Sequence, residues 1–241
     1  MKIDLHSHTN HSDGLLPVAE LLARAISCNL DVLAITDHDT VSALPQAAAW
    51  LTETQASLTL INGVEISTSW QQLEIHIVGL NINPDCPQFL QRLATQQQAR
   101  LVRAEEMARR LEKSQIPDVL PAVLELANGA ALTRTHFARH LVNIGKASSL
   151  NNVFKKYLAR GKAGYVPNNW VEMATAVQWI HDAGGIALEG FYVFAVAAFV
   201  HADDGVHVVE FGGADLVLQE VRHPLLDDQD CALHPEEAHD L

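Results

Sequence analysis

Histidines 6 and 8 stand two apart in the run Asp4-Leu5-His6-Ser7-His8. On a strand, residues i and i+2 point to the same side, so both imidazoles can face one point. Ring nitrogens at this spacing suit Zn, Mn, Fe or Ni. More ligand types follow. Asp13 sits in the loop after this strand, and His38 lies between Asp37 and Asp39 after a second, apolar strand. Glu65 falls near the end of a third strand, and His76 lies within a fourth. In parallel α/β folds the C-terminal strand ends line the active site, so four successive elements deliver oxygen and nitrogen ligands to one rim. The mixture contains no cysteine, which favours Mn, Fe, Zn or Mg with water retained on the metal. Asp13 and Glu65 suit the bridging of two ions. Ions roughly 3.5–4 Å apart clamp a phosphoryl group and make hydroxide from water near neutral pH. Asp37 or Asp39 would hold a histidine tautomer from behind.

A second cluster is Thr133-Arg134-Thr135-His136, at the start of a predicted helix. Helix N-termini bind anions, and Arg is a bidentate phosphate donor, so Arg134 and His136 are candidate substrate contacts. The charge distribution agrees. The chain carries −13 overall, yet Arg92 to Lys162 holds thirteen basic and five acidic residues. A basic middle in an acidic protein points to a local anion site; the competing reading for Arg100, Arg103, Arg109, Arg110 and Lys113 is a solvated helix face. Arg139, His140 and Lys162 read as solvated accessories, His11 as a bystander in its loop, and His181 as a helix-surface residue.

The elements that must position these groups follow from periodicity. Residues 1–8 alternate as a strand, with Asp4, His6 and His8 on one face. Pro17 opens a helix whose stripe is Leu21, Leu22 and Ala25. Asp31–Thr36 is a short apolar strand, 42–54 an Ala-rich helix, and Leu58–Ile66 and Leu73–Ile82 two further strands. The alternation predicts a parallel α/β core, barrel-like or doubly wound. From Pro87 the pattern turns helical, with a long helix at 88–115 and shorter ones to about residue 160. The core resumes near Gly164-Tyr165-Val166, runs through a helix at 171–183 and reaches a strand at Gly184–Ala187. Val206–Phe211 is a further candidate strand. Beyond Leu226 the acidic, His-rich text predicts a frayed tail.

The bulk properties exclude several classes. With 48% apolar residues among 241, a core can form. No apolar run reaches the length of a membrane span, and the N-terminus enters a strand without a signal-peptide apolar stretch. Three scattered cysteines, Cys28, Cys86 and Cys231, argue against a disulfide framework and for a reducing, cytoplasmic setting. The acidic balance argues against stable binding of duplex nucleic acid.

Taken together, Asp4-Leu5-His6-Ser7-His8-Thr9, Ser12-Asp13-Gly14, Ile35-Thr36-Asp37-His38-Asp39, Gly63-Val64-Glu65 and His76-Ile77-Val78-Gly79-Leu80 resemble the PHP (polymerase and histidinol phosphatase) family of metal-dependent phosphoesterases. Arg134–Leu141 and Lys155-Lys156-Tyr157-Leu158 resemble its branch of RNase AM-type 5′-3′ exoribonucleases and nucleoside 3′,5′-bisphosphate phosphatases. The resemblance implies a distorted (β/α)7 barrel formed by 1–86 and 161–187, with a helical insertion at 87–160. It implies up to three metal ions, usually Mn, held by His6, His8, Asp13, His38, Glu65 and His76. Arg134 and His136 would contact the phosphate of a nucleotide or short RNA. The pattern departs after Ala187. Where the family has Ala-His-Pro-Gly, this chain has Leu188-Glu189-Gly190-Phe191-Tyr192, and a later Gly-Ser-Asp-Phe-His motif has no counterpart. Residues 188–241 therefore read as an atypical segment, frame-shifted or otherwise foreign, with the barrel incomplete or altered there. The expected activity is hydrolysis of phosphate esters by metal-activated hydroxide. The alternatives are a catalytically impaired metal- or nucleotide-binding remnant and an amidohydrolase-type metal-dependent hydrolase.

Overall fold

The computed structural model describes residues 1–71, 73–190, 206–211 and 214–219. Its sheet starts with three parallel neighbours, β1 (Ile3–Asp4), β2 (Val32–Ile35) and β3 (Thr59–Trp70). β4 (Leu73–Leu80) runs back antiparallel to β3. β5 (Val171–Glu172) pairs in parallel with Thr68 and Ser69 of β3, and β6 (Ile186–Gly190) pairs antiparallel with β4. The sheet has the order β1-β2-β3-β4-β6 and curls into a half barrel. Leu33, Ala34 and Ile35 of β2 are all buried, as expected of a central parallel strand covered on both faces. α1 (Val18–Ser27) buries Val18, Leu21, Leu22 and Ala25, a stripe at helical spacing. α2 (Leu44–Thr54) buries Leu44 and Ala47 in the same core.

Three expectations are corrected. The fourth strand is not parallel to the third. Only Gln71 and Gln72 separate them, enough for a hairpin, whereas a parallel return needs a crossover of about a dozen residues. The first strand is shorter than residues 1–8: its ladder ends at Asp4, whose carboxylate takes the His6 N–H at 3.0 Å. Pro17 occupies the cap position, one residue before α1 begins.

α3 (Pro87–Lys113) joins two cores. Its first half packs Phe89 and Leu93 against the sheet core. Its second half packs Ala104, Met107, Ala108 and Leu111 into a separate helical core. That core is completed by α4 (Val119–Ala127), α5 (Arg134–Asn143), α6 (Leu150–Val153) and a π-helical turn at Phe154–Leu158. Each buried leucine or phenylalanine contributes about 1.5–3 kcal/mol relative to exposure, so both halves of α3 are firmly seated. Between them its inward face turns polar, at Gln96 and Arg100. Here the solvated-face reading divides. Arg109 and Arg110 are surface residues paired with Glu106. Arg100, only 6% exposed, is locked to Asp39, and Arg103 is bonded to Glu74.

α7 (Met173–Asp182) closes over β3, β4 and β6 through Met173, Ala176 and Ile180, with His181 on the surface as expected. β7 (Val206–Phe211) forms where a strand was expected and pairs with β8 (Ala214–Gln219) as an antiparallel hairpin. The reading of the text beyond Leu226 lies outside the described residues. Among the described residues, no helix is long and apolar enough to cross a membrane.

Candidate metal centre

The alternation of β3 and β4 places the central pair. In their register Glu65 lies opposite Val78 and Ser67 opposite His76, so Glu65 and His76 are diagonal neighbours on one face, within reach of long side chains. The segment after β2 runs beside β3: Asp39 N donates to Glu65 O, and Glu65 N to Asp37 O. This delivers His38 to the same face. His6 and His8 arrive from beyond β1, held by Thr36 N to Ser7 O and by Ser7 Oγ to Ala34 O. The loop behind them folds tightly. A Cβ on Gly14 would sit 2.3 Å from the His8 carbonyl oxygen, so only glycine lets the chain turn there.

All six expected ligands come together. Glu65, 3% exposed, is the hub. Its Oε2 lies 2.9 Å from His6 Nε2, 2.9 Å from His8 Nε2 and 3.6 Å from His38 Nδ1, and its Oε1 lies 2.6 Å from His76 Nδ1. Asp13 closes the far side, 3.8 Å from His8 Nδ1 and 3.6 Å from His38 Nε2. These groups make three overlapping triplets whose ligand atoms lie within 4.8 Å of one another: His6, His8 and Glu65; His8, Asp13 and His38; His38, Glu65 and His76.

The electrostatics fit cations. Burial alone would raise Glu65, but the surrounding imidazoles outweigh it and hold its carboxyl well below the usual range. Burial pushes His8 and His76 down, yet Glu65 outweighs it and lifts each to about 9. Burial carries His38 the other way, to about 3, leaving the neutral imidazole that a metal requires. Among the described residues, His38 Nδ1 is buried without a hydrogen-bond partner, as suits an atom that binds a metal. A donor set of histidine and carboxylate without thiolate fits a borderline or hard divalent ion.

The supporting residues differ from the expectation. Among the described residues, neither Asp37 nor Asp39 bonds a histidine ring. Asp37 accepts from Thr9 N, Thr9 Oγ1 and Ser12 Oγ at 2.6–2.7 Å, fixing the loop that carries Asp13. Its hydrogen-bonded path to His8 runs through Ser12 Oγ, 3.3 Å from Nδ1, and its charge also acts on that imidazole directly. Asp39 points away, to Ser67 N and Arg100. His11 turns outward to Ser42 and Gln46. Arg139 is not a solvated accessory, since its guanidinium donates to the Asp13 carbonyl. His140 is buried rather than solvated, whereas Lys162 is exposed.

α5 begins at this loop. Thr133 caps it in a capping box with His136. His136 is 3% exposed; its Nδ1 accepts from Thr133 N at 3.1 Å, and it also bonds the Ser12 backbone. Thr135 bonds the Asp13 side chain. Arg134 lies 3.3 Å from Glu74 and stacks over Phe154.

Glu74 was missed in the sequence, although its signal was present: it stands two residues before His76, the same i, i+2 spacing that singled out His6 and His8. It gathers Arg103 at 3.2 Å, Arg134 at 3.3 Å and Trp170 Nε1 at 2.9 Å, and faces His76 Nε2 at 3.8 Å. Against the opposing effect of burial, His76, Arg134 and Arg103 hold its carboxyl well below the usual range. A carboxylate behind a metal-ligating histidine fixes the ring, and losing one costs about 10–100-fold in metal affinity. Because 3.8 Å exceeds a direct hydrogen bond, Glu74→Gln is expected at the low end, about tenfold. Metal titration checks this, and an unchanged affinity would remove Glu74 from the centre.

Comparison with known proteins agrees with this geometry. A family profile described as PHP domain matches residues 4–182. The 5′-3′ exoribonuclease Rnm of Escherichia coli (strain K12) is 52% identical over 185 residues, covering 77% of this chain and 63% of the relative. A 3′,5′-nucleoside bisphosphate phosphatase of Chromobacterium violaceum is 41% identical over 187 residues, covering 77% of this chain and 65% of the relative. Among solved structures, an amidohydrolase from Chromobacterium violaceum with bound sulfate and no metal superposes with a TM-score of 0.75 at 39% identity, over 80% of this chain and 67% of the other. The chain thus spans less than two thirds of the length of these curated relatives. With a match across most of its described residues and relatives above 50% identity, the chain belongs to the PHP family of metal-dependent phosphoesterases.

Proposed function

We propose that this chain hydrolyses phosphate esters of nucleotides or short RNA at the centre built on Glu65. The observation that carries the reading is the position of Arg134. Its guanidinium reaches the centre's edge through Glu74, which faces His76. Six metal-ligand groups and a phosphate-seeking Arg are thereby linked by one carboxylate.

In this reading His6, His8, Asp13, His38, Glu65 and His76 hold divalent ions, with Mn as the proposed metal. When bound, such ions supply Lewis acidity and lower the pKa of water toward neutrality. Arg134 binds a phosphate oxygen and offsets negative charge developing on the reacting phosphoryl group. His136, Thr135 and Arg139 hold the loop so that Asp13 stays aimed at His8 and His38. The helical segment 87–160 is proposed as the substrate side of the barrel. The relatives' names support the substrate class, one being called an exoribonuclease and another a nucleoside bisphosphate phosphatase.

The test is an assay of Mn-loaded protein with a nucleoside 3′,5′-bisphosphate, a short oligoribonucleotide and a panel of amides. Phosphate release is the expected result. Arg134→Ala is expected to lower kcat/KM on the phosphate substrates by about 1–3 kcal/mol of transition-state stabilisation. An unchanged kcat/KM would remove Arg134 from the site. Stoichiometric metal with no turnover would mark the chain as a binding remnant, and turnover of amides alone would overturn the phosphoesterase reading.

A further inference from the structure

From Leu126 to Val171 the chain contains no Asp or Glu but seven Lys and Arg residues, within a protein of net charge −13. The structure sorts the basic residues into two groups. On α3, Arg92 pairs with Asp182, Arg100 with Asp39 and Arg103 with Glu74, Arg109 and Arg110 share the single carboxylate of Glu106, and Lys113 is exposed. Lys146, Lys155, Lys156, Arg160 and Lys162 are all exposed, and among the described residues none of them forms an ion pair. The positive potential is therefore concentrated at one end of the helical segment.

This end is built around a concave surface lined by Lys146, Ser148, Asn152, Lys155 and Lys156. Lys156 Nζ and the Tyr157 hydroxyl both reach the Lys146 carbonyl, tying the turn after α5 to the π-helical turn. π-Helical turns are rare and are found frequently at functional sites. The π-helical turn also meets the candidate substrate arginine, because Phe154, its first residue, lies under the Arg134 guanidinium at 5.8 Å. Phe154 and Tyr157 are half-buried, leaving part of each ring open.

We infer that this surface is a track for single-stranded RNA, holding the phosphates that follow the one hydrolysed at the metal centre. The inference rests on the phosphoesterase reading and deepens it. A strand with one phosphate at Arg134 carries a series of further phosphates for Lys146, Lys155 and Lys156, whereas a nucleoside bisphosphate carries at most one more. Unpaired lysines along a groove with partly open aromatic rings are the recognition chemistry of single strands.

The test is the double variant Lys155→Ala/Lys156→Ala in the full chain. Binding of a short, labelled, 5′-phosphorylated oligoribonucleotide is measured by fluorescence anisotropy on metal-free protein at two salt concentrations. Each lysine lost from a phosphate contact flattens the log–log salt slope by about 0.7 for single strands. A fourfold rise in salt is therefore expected to weaken the wild type roughly sevenfold more than the variant. Under Mn, kcat/KM on the nucleoside bisphosphate is expected to stay within about twofold while that on the oligoribonucleotide falls. Equal salt slopes, an equal loss on both substrates, or equally tight binding of duplex RNA would overturn the track. If the wild type hydrolyses neither substrate, the proposed function fails, and the metal-free binding arm still decides the track.

Discussion

Glu65→Gln is expected to lower phosphate release by more than about 100-fold and to reduce bound metal in the same preparation. The magnitude follows from its place at the hub. Loss of an outer partner of a metal ligand costs about 10–100-fold, and Glu65 is more than that. Its two oxygens approach His6, His8, His38 and His76, and it belongs to two of the three ligand triplets. Glutamine preserves volume and strand packing, so the fold should remain, but its amide bears no negative charge and its NH2 is a donor facing ligand nitrogens. A second signature is spectroscopic. Burial pushes His8 and His76 down, and only the Glu65 carboxylate and its acidic neighbours lift them to about 9. In metal-free Glu65→Gln protein both imidazoles should lose protons at lower pH, which NMR titration of the ring protons would read. Metal elemental analysis and the phosphate assay check the first part. Normal metal content with normal turnover would exclude Glu65 as a ligand.

The cluster of candidate ligands was legible in the sequence because its His, Asp and Glu residues stand in or just after successive strands. A period of two grouped His6 with His8, and although β1 ends at Asp4 and both lie beyond it, residue type and order along the chain picked out the same six groups. The same rule applied to β4 would have found Glu74 two residues before His76. It was overlooked because a lone Glu in an apolar strand carries no signal until its partners are known, and Arg103, Arg134 and Trp170 lie 29, 60 and 96 residues away in sequence. Arg100 was illegible for the same reason. Helical periodicity separates faces, but it does not show that one face passes from the sheet core to the helical core across a buried polar junction. The direction of β4 was legible in principle, since a two-residue connection excludes a parallel return. At the C-terminal end, β6 places Gly190 opposite His76. The departure from the family pattern at Leu188 therefore falls on a strand that borders the centre, a placement that only the register reveals.

That polar junction carries the second large expected effect. Asp39→Ala is expected to destabilise the protein by about 3–5 kcal/mol, the cost of stripping one partner from a buried ion pair. Asp39 is fully buried and Arg100 nearly so, at 2.6–2.7 Å. Arg100 also donates to Ser67 Oγ at 2.6 Å and Leu132 O at 2.9 Å, and lies over the Trp170 ring. Gln96 and Gln97 of the same helix bond Ser67 O and Asp39 O. Removal of Asp39 leaves the guanidinium without its counter-charge in a site closed to water, whereas an exposed pair would cost only about 0–1 kcal/mol. Urea denaturation with an unchanged m value checks the figure, and a loss below about 1 kcal/mol would show that the pair is screened by solvent. Asp39→Ala combined with Arg100→Met should recover part of the loss, because the orphaned charge is then gone. The double variant nevertheless loses the contacts that seat α3 on β3. Arg103 lies one turn further along α3 and holds Glu74, so metal affinity in the double variant should remain below wild type after stability has partly returned. A double variant that recovers both together would confine the role of the pair to stability.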